Sequence, residues 1–240
     1  KVGGPFELSC PDSPLVSIVI PVYGKIAYTY HCLRSLWSHS SKYSFEVIVV
    51  DDKSPDNTAE VLKTIGGIRV VTNEENFGFI RSCNSGARHA KGRLLVMLNN
   101  DTVVRPGWLD ELVDTFNCAP NVGLVGSKLL YPDGRLQEAG GVIWRDGSGW
   151  NYGRLKDPNR PEFSYLRDAD YCSGASLMIP KALYEQLGGF DEHYLPAYGE
   201  DSDLAFKVRD AGYRVLYQPL SEVIHFEGVT SGKEVTAGVK

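Results

Sequence analysis

No apolar run approaches the roughly 18 residues that a helix needs to cross a bilayer, and no signal-peptide core follows the start, Lys1-Val2-Gly3-Gly4-Pro5. A helical membrane span is thereby excluded. Cysteine is scarce and odd in number: Cys10, Cys32, Cys83, Cys118 and Cys172 make five, with no Cys-x-x-Cys pair and no zinc-ligand spacing. That usage fits reduced thiols better than a disulfide framework and leads us to expect a cytoplasmic protein. Basic residues are not in excess, since 25 Lys+Arg stand against 30 Asp+Glu for a net charge of −5. The chain therefore offers no broad basic surface, and nucleic acid is not expected as a partner. Glycine-rich phosphate loops are missing too: the first apolar strand runs into Pro21-Val22-Tyr23-Gly24-Lys25, neither GxGxxG nor GxxxxGK[ST]. If phosphates bind here, a metal ion has to carry most of their charge.

What is present is an alternation of two periods. Val16-Ser17-Ile18-Val19-Ile20-Pro21-Val22 is nearly continuous and β-branched, as in a strand buried on both faces, and Ile26, Tyr30, Leu33 and Trp37 follow at helical spacing. The pattern repeats with strands at 45–50, 68–72, 94–98 and 122–130. Between them lie a helix at 59–65, a helix carrying Ile80, Cys83, Ala87 and Ala90, and a helix carrying Leu109, Leu112, Val113 and Phe116. Strands alternating with helices over short connections imply a mainly parallel sheet covered on both faces, an α/β fold. At 240 residues the chain is long enough for one large domain of this kind or two small ones.

Residues 131–170 break the pattern with six glycines and several aromatic residues, and short strands are expected there near 142–144. Regular structure resumes with a strand at 176–179, helices at 181–187 and 201–211, a strand at 214–218 and a short apolar strand, Val223-Ile224, ending at His225. Residues 1–15 read as a leader, 16–130 as one half of a single domain, 131–232 as the other, and 233–240 as the tail of a chain cut from a longer protein.

Ligands of open parallel sheets bind at the carboxyl ends of the strands. Acidic residues gather there twice, as Asp51-Asp52-Lys53-Ser54 and as Asn99-Asn100-Asp101. Asp51 and Asp52 either cap the following turn through backbone amides or accept the N3 proton of a pyrimidine base. Asn99-Asn100-Asp101 is either a turn of residues that tolerate left-handed backbone or a hard-oxygen site for a divalent cation bridging two phosphates. A third cluster, Gly199-Glu200-Asp201-Ser202-Asp203, opens a helix, where acids favour the positive end of the dipole. Of the five histidines, His225 stands apart because it ends a strand, and an imidazole meeting Asp101 at one Mn²⁺ is a reasonable expectation.

In order along the chain, Ser17-Ile18-Val19-Ile20-Pro21-Val22-Tyr23, Val50-Asp51-Asp52-Lys53-Ser54, Asn76-Phe77-Gly78-Phe79 with Asn84-Ser85-Gly86, Asn99-Asn100-Asp101, Gly174-Ala175, Gly188-Gly189-Phe190-Asp191, Gly199-Glu200-Asp201 and His225 resemble the motifs of family 2 glycosyltransferases of GT-A fold. Among these the chain looks most like bacterial rhamnosyltransferase-type enzymes that build surface polysaccharides. The resemblance implies an inverting transfer of sugar from a UDP- or dTDP-sugar, dTDP-rhamnose included, to a saccharide or lipid-linked saccharide hydroxyl.

It also implies roles for single residues. Pro21, Val22 and Tyr23 would line the base pocket, with Asp51 pairing to the uracil or thymine ring and Asp52 close by. Arg81 and Asn84 would approach the nucleotide, Asn100 the ribose or sugar, and Asn99 and Gly174-Ala175 the nucleotide-sugar donor. Asp101 and His225 would hold Mn²⁺ or Mg²⁺, and Asn99 replaces the first acid of the commoner Asp-x-Asp. Asp201 would be the general base and Glu200 would orient the acceptor or sugar. Membrane association, if the full-length protein has it, is expected to be peripheral, at the inner face and through other parts.

Two other classes fit less well. A phosphoacceptor receiver carries its acid pair after the first strand, not the second, and leaves Glu200-Asp201 without a use. A nucleotidyltransferase calls for more than Gly24-Lys25 after strand one. A non-catalytic sugar-nucleotide binder within a larger synthase remains a competing reading.

Overall fold

The computed structural model describes residues 3–227; Lys1 and Val2, the segment 228–232 and the tail 233–240 lie outside the described residues. The order is β1 (Phe6–Glu7), β2 (Val16–Val22), α1 (Ile26–Ser38), β3 (Phe45–Asp51), α2 (Thr58–Leu62), β4 (Ile65–Gly66), β5 (Ile68–Thr72), α3 (Gly78–His89) and β6 (Leu94–Leu98). It continues with β7 (Thr102–Val104), α4 (Trp108–Cys118), β8 (Val122–Leu130), β9 (Leu136–Glu138), β10 (Gly141–Ile143), β11 (Gly149–Asn151), β12 (Arg167–Asp168), β13 (Ser176–Pro180), α5 (Lys181–Gln186), α6 (Glu200–Asp210) and β14 (Arg214–His225).

The central sheet has the order β12-β14-β8-β13-β6-β2-β3-β5, with β7 added on β14 and β9 on β8. β5, β3, β2 and β6 are mutually parallel, as are β8 and β14. β13 runs antiparallel to both β6 and β8, so those two sets point the same way and their carboxyl ends share one edge. β13 itself enters from that edge, which puts Gly174-Ala175 beside the end of β6. The expected mainly parallel sheet is the one observed, and the single reversed central strand joins its two halves.

Strand period decides which helix covers which face. Ile18 and Ile20 of β2 pack with Val47 and Val49 of β3 under α1 and α4, through Leu33, Leu36, Leu112 and Val113. Val19, Ile48 and Val50 face the opposite way, toward Ile80 and Cys83 of α3, Leu183 of α5 and Leu204 and Val208 of α6. α3 comes close because Gly86 has no side chain, and a Cβ there would sit 2.3 Å from Val19 Cγ1. Residues 6–8 of the leader join the first of these layers: β1 pairs in parallel with β4, and the Phe6 ring lies 5.6 Å from that of Tyr30.

The short strands expected within 131–170 are four, and the one expected near 142–144 is β10. The two predicted terminal strands are one, β14, whose register on β8 shifts between Gln218 and Glu222. Behind that shift Ser127 hydrogen-bonds both Ser176 and Ser221, and Trp108 Nε1 donates to Ser127 and Ser176. This buried network ties β8, β13, β14 and α4 together without leaving the Trp108 donor unpaired. All five cysteines are free, as expected. Burial pushes the Cys32 thiol up to about 12 and those of Cys83 and Cys172 well above their ordinary value, so these three are held as inert thiols. No helix among the described residues is long and apolar enough to cross a membrane.

Candidate active site

The loops after β2 and β3 are fastened to each other. Gly24 N donates to Ser54 Oγ (2.8 Å), and Ser54 N donates to Asp51 Oδ1 (3.0 Å). Pro21 and Val22 are buried at the end of β2, and Tyr23 is exposed just beyond it. Because β2 pairs with β3 from Val16↔Phe45 to Val22↔Asp51, the Asp51 carboxylate and the 21–23 turn share one corner of the edge.

Asp52 is committed differently. Its Oδ1 accepts from Asn73 Nδ2 (2.7 Å) and Phe77 N (2.9 Å), and its Oδ2 accepts from Gly78 N (2.8 Å). It therefore caps α3 from 25 residues away, satisfying amides that the helix cannot use itself. Asn84, on the same helix, accepts from Tyr184 Oη (2.6 Å) and Phe190 N (3.0 Å) and donates to Phe190 O (2.8 Å). Its oxygen fills the space beside Gly189, where φ is +73° and a Cβ would come within 2.6 Å. Arg81 donates to Glu192 Oε2 (2.9 Å) at the surface. Both α3 residues thus bind the Gly188-Gly189-Phe190-Asp191 loop and its neighbour.

The acid pair of α6 reaches the same edge. Asp201 Oδ2 accepts from Gly174 N (3.2 Å) and Oδ1 accepts from Ser202 N (2.8 Å), while Glu200 Oε2 accepts from Tyr198 N (3.0 Å). Both acids are buried, in the first turn of a helix whose preceding residue, Gly199, has φ of +102°. Ala175 O in turn accepts from Asn99 N (3.0 Å), so a line of hydrogen bonds leads from Asp201 through Gly174-Ala175 to the end of β6. Asn100 turns its amide to Thr29 Oγ1 of α1 (3.0 Å).

Asp101 and His225 meet because β7 pairs antiparallel with the end of β14, His225 opposite Thr102, and Phe226 N donates to Asp101 O (2.9 Å). His225 Nε2 lies 3.3 Å from Asp101 Oδ1 and 3.5 Å from Asn99 Nδ2. Asp101 Oδ1 and Asn99 Oδ1 are buried without a hydrogen-bond partner. A buried carboxylate oxygen without a donor is costly, and one facing an imidazole nitrogen at this separation fits a divalent cation that takes both as ligands. Among the described residues no group of three or more His, Cys, Asp and Glu side chains is so arranged. Two protein ligands are what an ion needs when substrate phosphates and water complete its shell.

Sequence reasoning missed β9. Gln137 Oε1 lies 3.1 Å from His225 Nδ1, and Glu138 Oε1 accepts from Ser173 N (2.9 Å) beside Gly174. Both side chains are buried. Leu136-Gln137-Glu138 is too short for a period, and its position inside a polar stretch gave no other signal.

The fold is that of GT-A glycosyltransferases: GalNAc-T7 crystallised with UDP, GalNAc and Mn²⁺ superposes with a TM-score of 0.72 at 20% identity, over 90% of this chain and 44% of that one. A Pyrobaculum calidifontis mannosyltransferase in complex with GDP-Man and Mn²⁺ gives 0.63 at 20%, over 89% and 57%. Residues 17–186 match the family Glycosyl transferase family 2, and the chain belongs to that family. Relatives include the O-antigen biosynthesis protein RfbC of Myxococcus xanthus, 33% identical over 91% of this chain and 18% of that protein. The N-acetylglucosaminyl-diphospho-decaprenol L-rhamnosyltransferase of Mycobacterium tuberculosis is 25% identical, over 90% and 78%. The chain spans about a quarter of the Sinorhizobium fredii protein y4gI, which is 33% identical over 93% of this chain.

Proposed function

We propose that this domain transfers a sugar, with inversion at the anomeric carbon, from a UDP- or dTDP-sugar to a hydroxyl of a saccharide or lipid-linked saccharide. The observation that carries the proposal is the hydrogen-bonded continuity of one sheet edge, from the Asp201 carboxylate through Gly174-Ala175 and Asn99 to the Asp101–His225 pair. Pro21, Val22, Tyr23 and Asp51 form the base corner, with Asp51 accepting the N3 proton of the pyrimidine. Asp101 and His225 would hold Mn²⁺ or Mg²⁺, which when bound would supply Lewis-acid stabilisation of charge on the diphosphate. Glu200, anchored at the start of α6, orients the acceptor or sugar.

Asp201 acts as the base. As the acceptor oxygen forms its bond to the anomeric carbon, its proton passes to the Asp201 carboxylate, and the bond from that carbon to the diphosphate breaks with its electron pair leaving on phosphate oxygen. One positioned base suffices for a single displacement. The name of the mycobacterial relative motivates dTDP-rhamnose as the first donor to try and a lipid-linked acceptor, reached at the inner face of a bacterial membrane by a cytoplasmic, peripherally associated full-length protein.

The test is a donor screen. UDP-, dTDP- and GDP-sugars are incubated with the protein, Mn²⁺ and saccharide acceptors, and released nucleotide and product are followed by mass spectrometry. Turnover that falls by about 10²–10⁴ in Asp201→Asn, with nucleotide affinity by calorimetry retained, is the expected result. Binding without turnover, unchanged by the substitution, would instead identify a non-catalytic sugar-nucleotide module of a larger synthase.

A further inference from the structure

An imidazole ligates a cation only through a nitrogen that carries no proton, and a neutral ring has two ways of placing its one proton. His225 Nδ1 lies 3.1 Å from Gln137 Oε1. A carbonyl oxygen accepts and never donates, so with the amide in this orientation Nδ1 holds a proton, and of the two neutral tautomers the one selected leaves Nε2 bare toward Asp101.

The orientation of that amide is itself determined. Gln137 Nε2 donates to Glu227 Oε2 (3.1 Å), the oxygen that also accepts from Tyr131 Oη (3.0 Å) and lies 3.6 Å from an Arg154 guanidinium nitrogen. Turning the amide over would set its carbonyl against a carboxylate oxygen and its NH₂ against the ring. The donors therefore converge on Glu227, Arg154 and Tyr131 from one side and His225 through Gln137 from the other.

We propose that Gln137, held by Glu227, is a positioning residue that locks His225 in the tautomer with Nδ1 protonated, so that Nε2 and Asp101 Oδ1 are preset for a divalent cation. The inference rests on the ion-binding reading given above, but it concerns residues of β9 and the segment after β14 to which that reading gives no role. Side chains that fix a ligating histidine through its second nitrogen typically alter metal affinity 10–100-fold.

The test uses the full chain labelled with ¹⁵N in its histidine rings, with His225 assigned by comparison with His225→Gln. Metal-free at pH 8, long-range ¹H–¹⁵N spectra of the wild type should report a single tautomer, protonated at Nδ1. Gln137→Met, similar in volume but without an acceptor, should give a mixture or the reverse tautomer. Glu227→Gln, which leaves Gln137 in place but frees its amide to turn over, should give a mixture as well. Mn²⁺ affinity, read from the free-ion electron paramagnetic resonance signal with UDP present, should fall about tenfold or more in Gln137→Met.

A wild-type ring protonated at Nε2 overturns the inference. So does a Gln137→Met protein, folded by circular dichroism, with the wild-type tautomer and affinity. If His225→Gln loses Mn²⁺ affinity while Gln137→Met keeps it, only the role of Gln137 falls. If neither variant loses affinity, the ion-binding reading falls with it.

Discussion

Two corners of the same sheet edge treat their polar side chains in opposite ways. Where β3 meets α3, Asp52 accepts from Asn73, Phe77 and Gly78, and Asn84 is engaged by Tyr184 and by both backbone groups of Phe190. Where β7 meets β14, Asp101 Oδ1 and Asn99 Oδ1 are buried without a hydrogen-bond partner, within reach of His225. The first corner spends its polar groups on holding the fold. The second withholds them at an energetic cost, which is the condition expected of groups that a ligand will satisfy.

Substitution at the second corner should break function and leave the fold intact. Asp101→Ala is expected to reduce metal-dependent turnover by about 10³, or roughly 4 kcal/mol of barrier, with a melting temperature equal to or above that of the wild type. Mn²⁺ plus nucleotide at about 100 times Kd should stabilise the wild type by about 2.7 kcal/mol and the variant not at all. Thermal shift and nucleotide release, measured on the same samples, decide this. A variant that melts much lower but keeps metal protection would reverse the assignment of the two corners.

Asp52→Ala is the complementary experiment. It leaves the Phe77 amide without its acceptor, while Gly78 N keeps Asn76 Oδ1 (3.1 Å) and Asn73 Nδ2 keeps Ser82 Oγ (3.1 Å), so a loss of about 1–3 kcal/mol is expected, which for a chain of this size is roughly 2–12 °C in melting temperature. Residual turnover per folded molecule should fall much less than in Asp101→Ala. Equal stability of Asp52→Ala and wild type would mean that water replaces the carboxylate and that the corner is not a scaffold.

The legible part of this molecule is the part with a period. β2, β3, β5, β6 and β8 have the spans that continuous apolar runs imply, and the acids after β3 and β6 follow from where a parallel sheet ends. His225 was visible because it closes an apolar strand. The division of labour between Asp51 and Asp52 was not legible, since the donors to Asp52 come from 21 to 26 residues away and no local turn predicts them. Gln137 and Glu138 were hidden for a related reason: each is a polar residue buried by partners 35 or more positions distant, in a three-residue strand that is polar at two of its three positions. Residues 6–8 read as a leader for want of a pattern, though Phe6 and Leu8 are buried in the layer under α1.

The smallest effect expected separates saturation from burial as the source of the contrast. At the opposite edge, Asp168 of β12 accepts from Arg214 Nε (2.9 Å) and a terminal guanidinium nitrogen (2.8 Å) at the start of β14, as completely paired as Asp52 but with a side chain 65% exposed. Its hydrogen bonds from Arg214 hold the carboxyl below the usual range, against a weaker opposing effect of burial. A lowered value means stability that is present above the ordinary carboxylate range near 3.9 and is lost as pH falls through the folded-state value. Solvent screening keeps that contribution under about 1 kcal/mol. Asp168→Asn should therefore lower stability slightly at pH 7, by urea unfolding, and the difference should vanish as the pH drops below about 4. A loss as large as that of Asp52→Ala would show that pairing alone, without burial, makes a carboxylate a scaffold, and the contrast between the two corners would then need another cause than the desolvation of unmet acceptors.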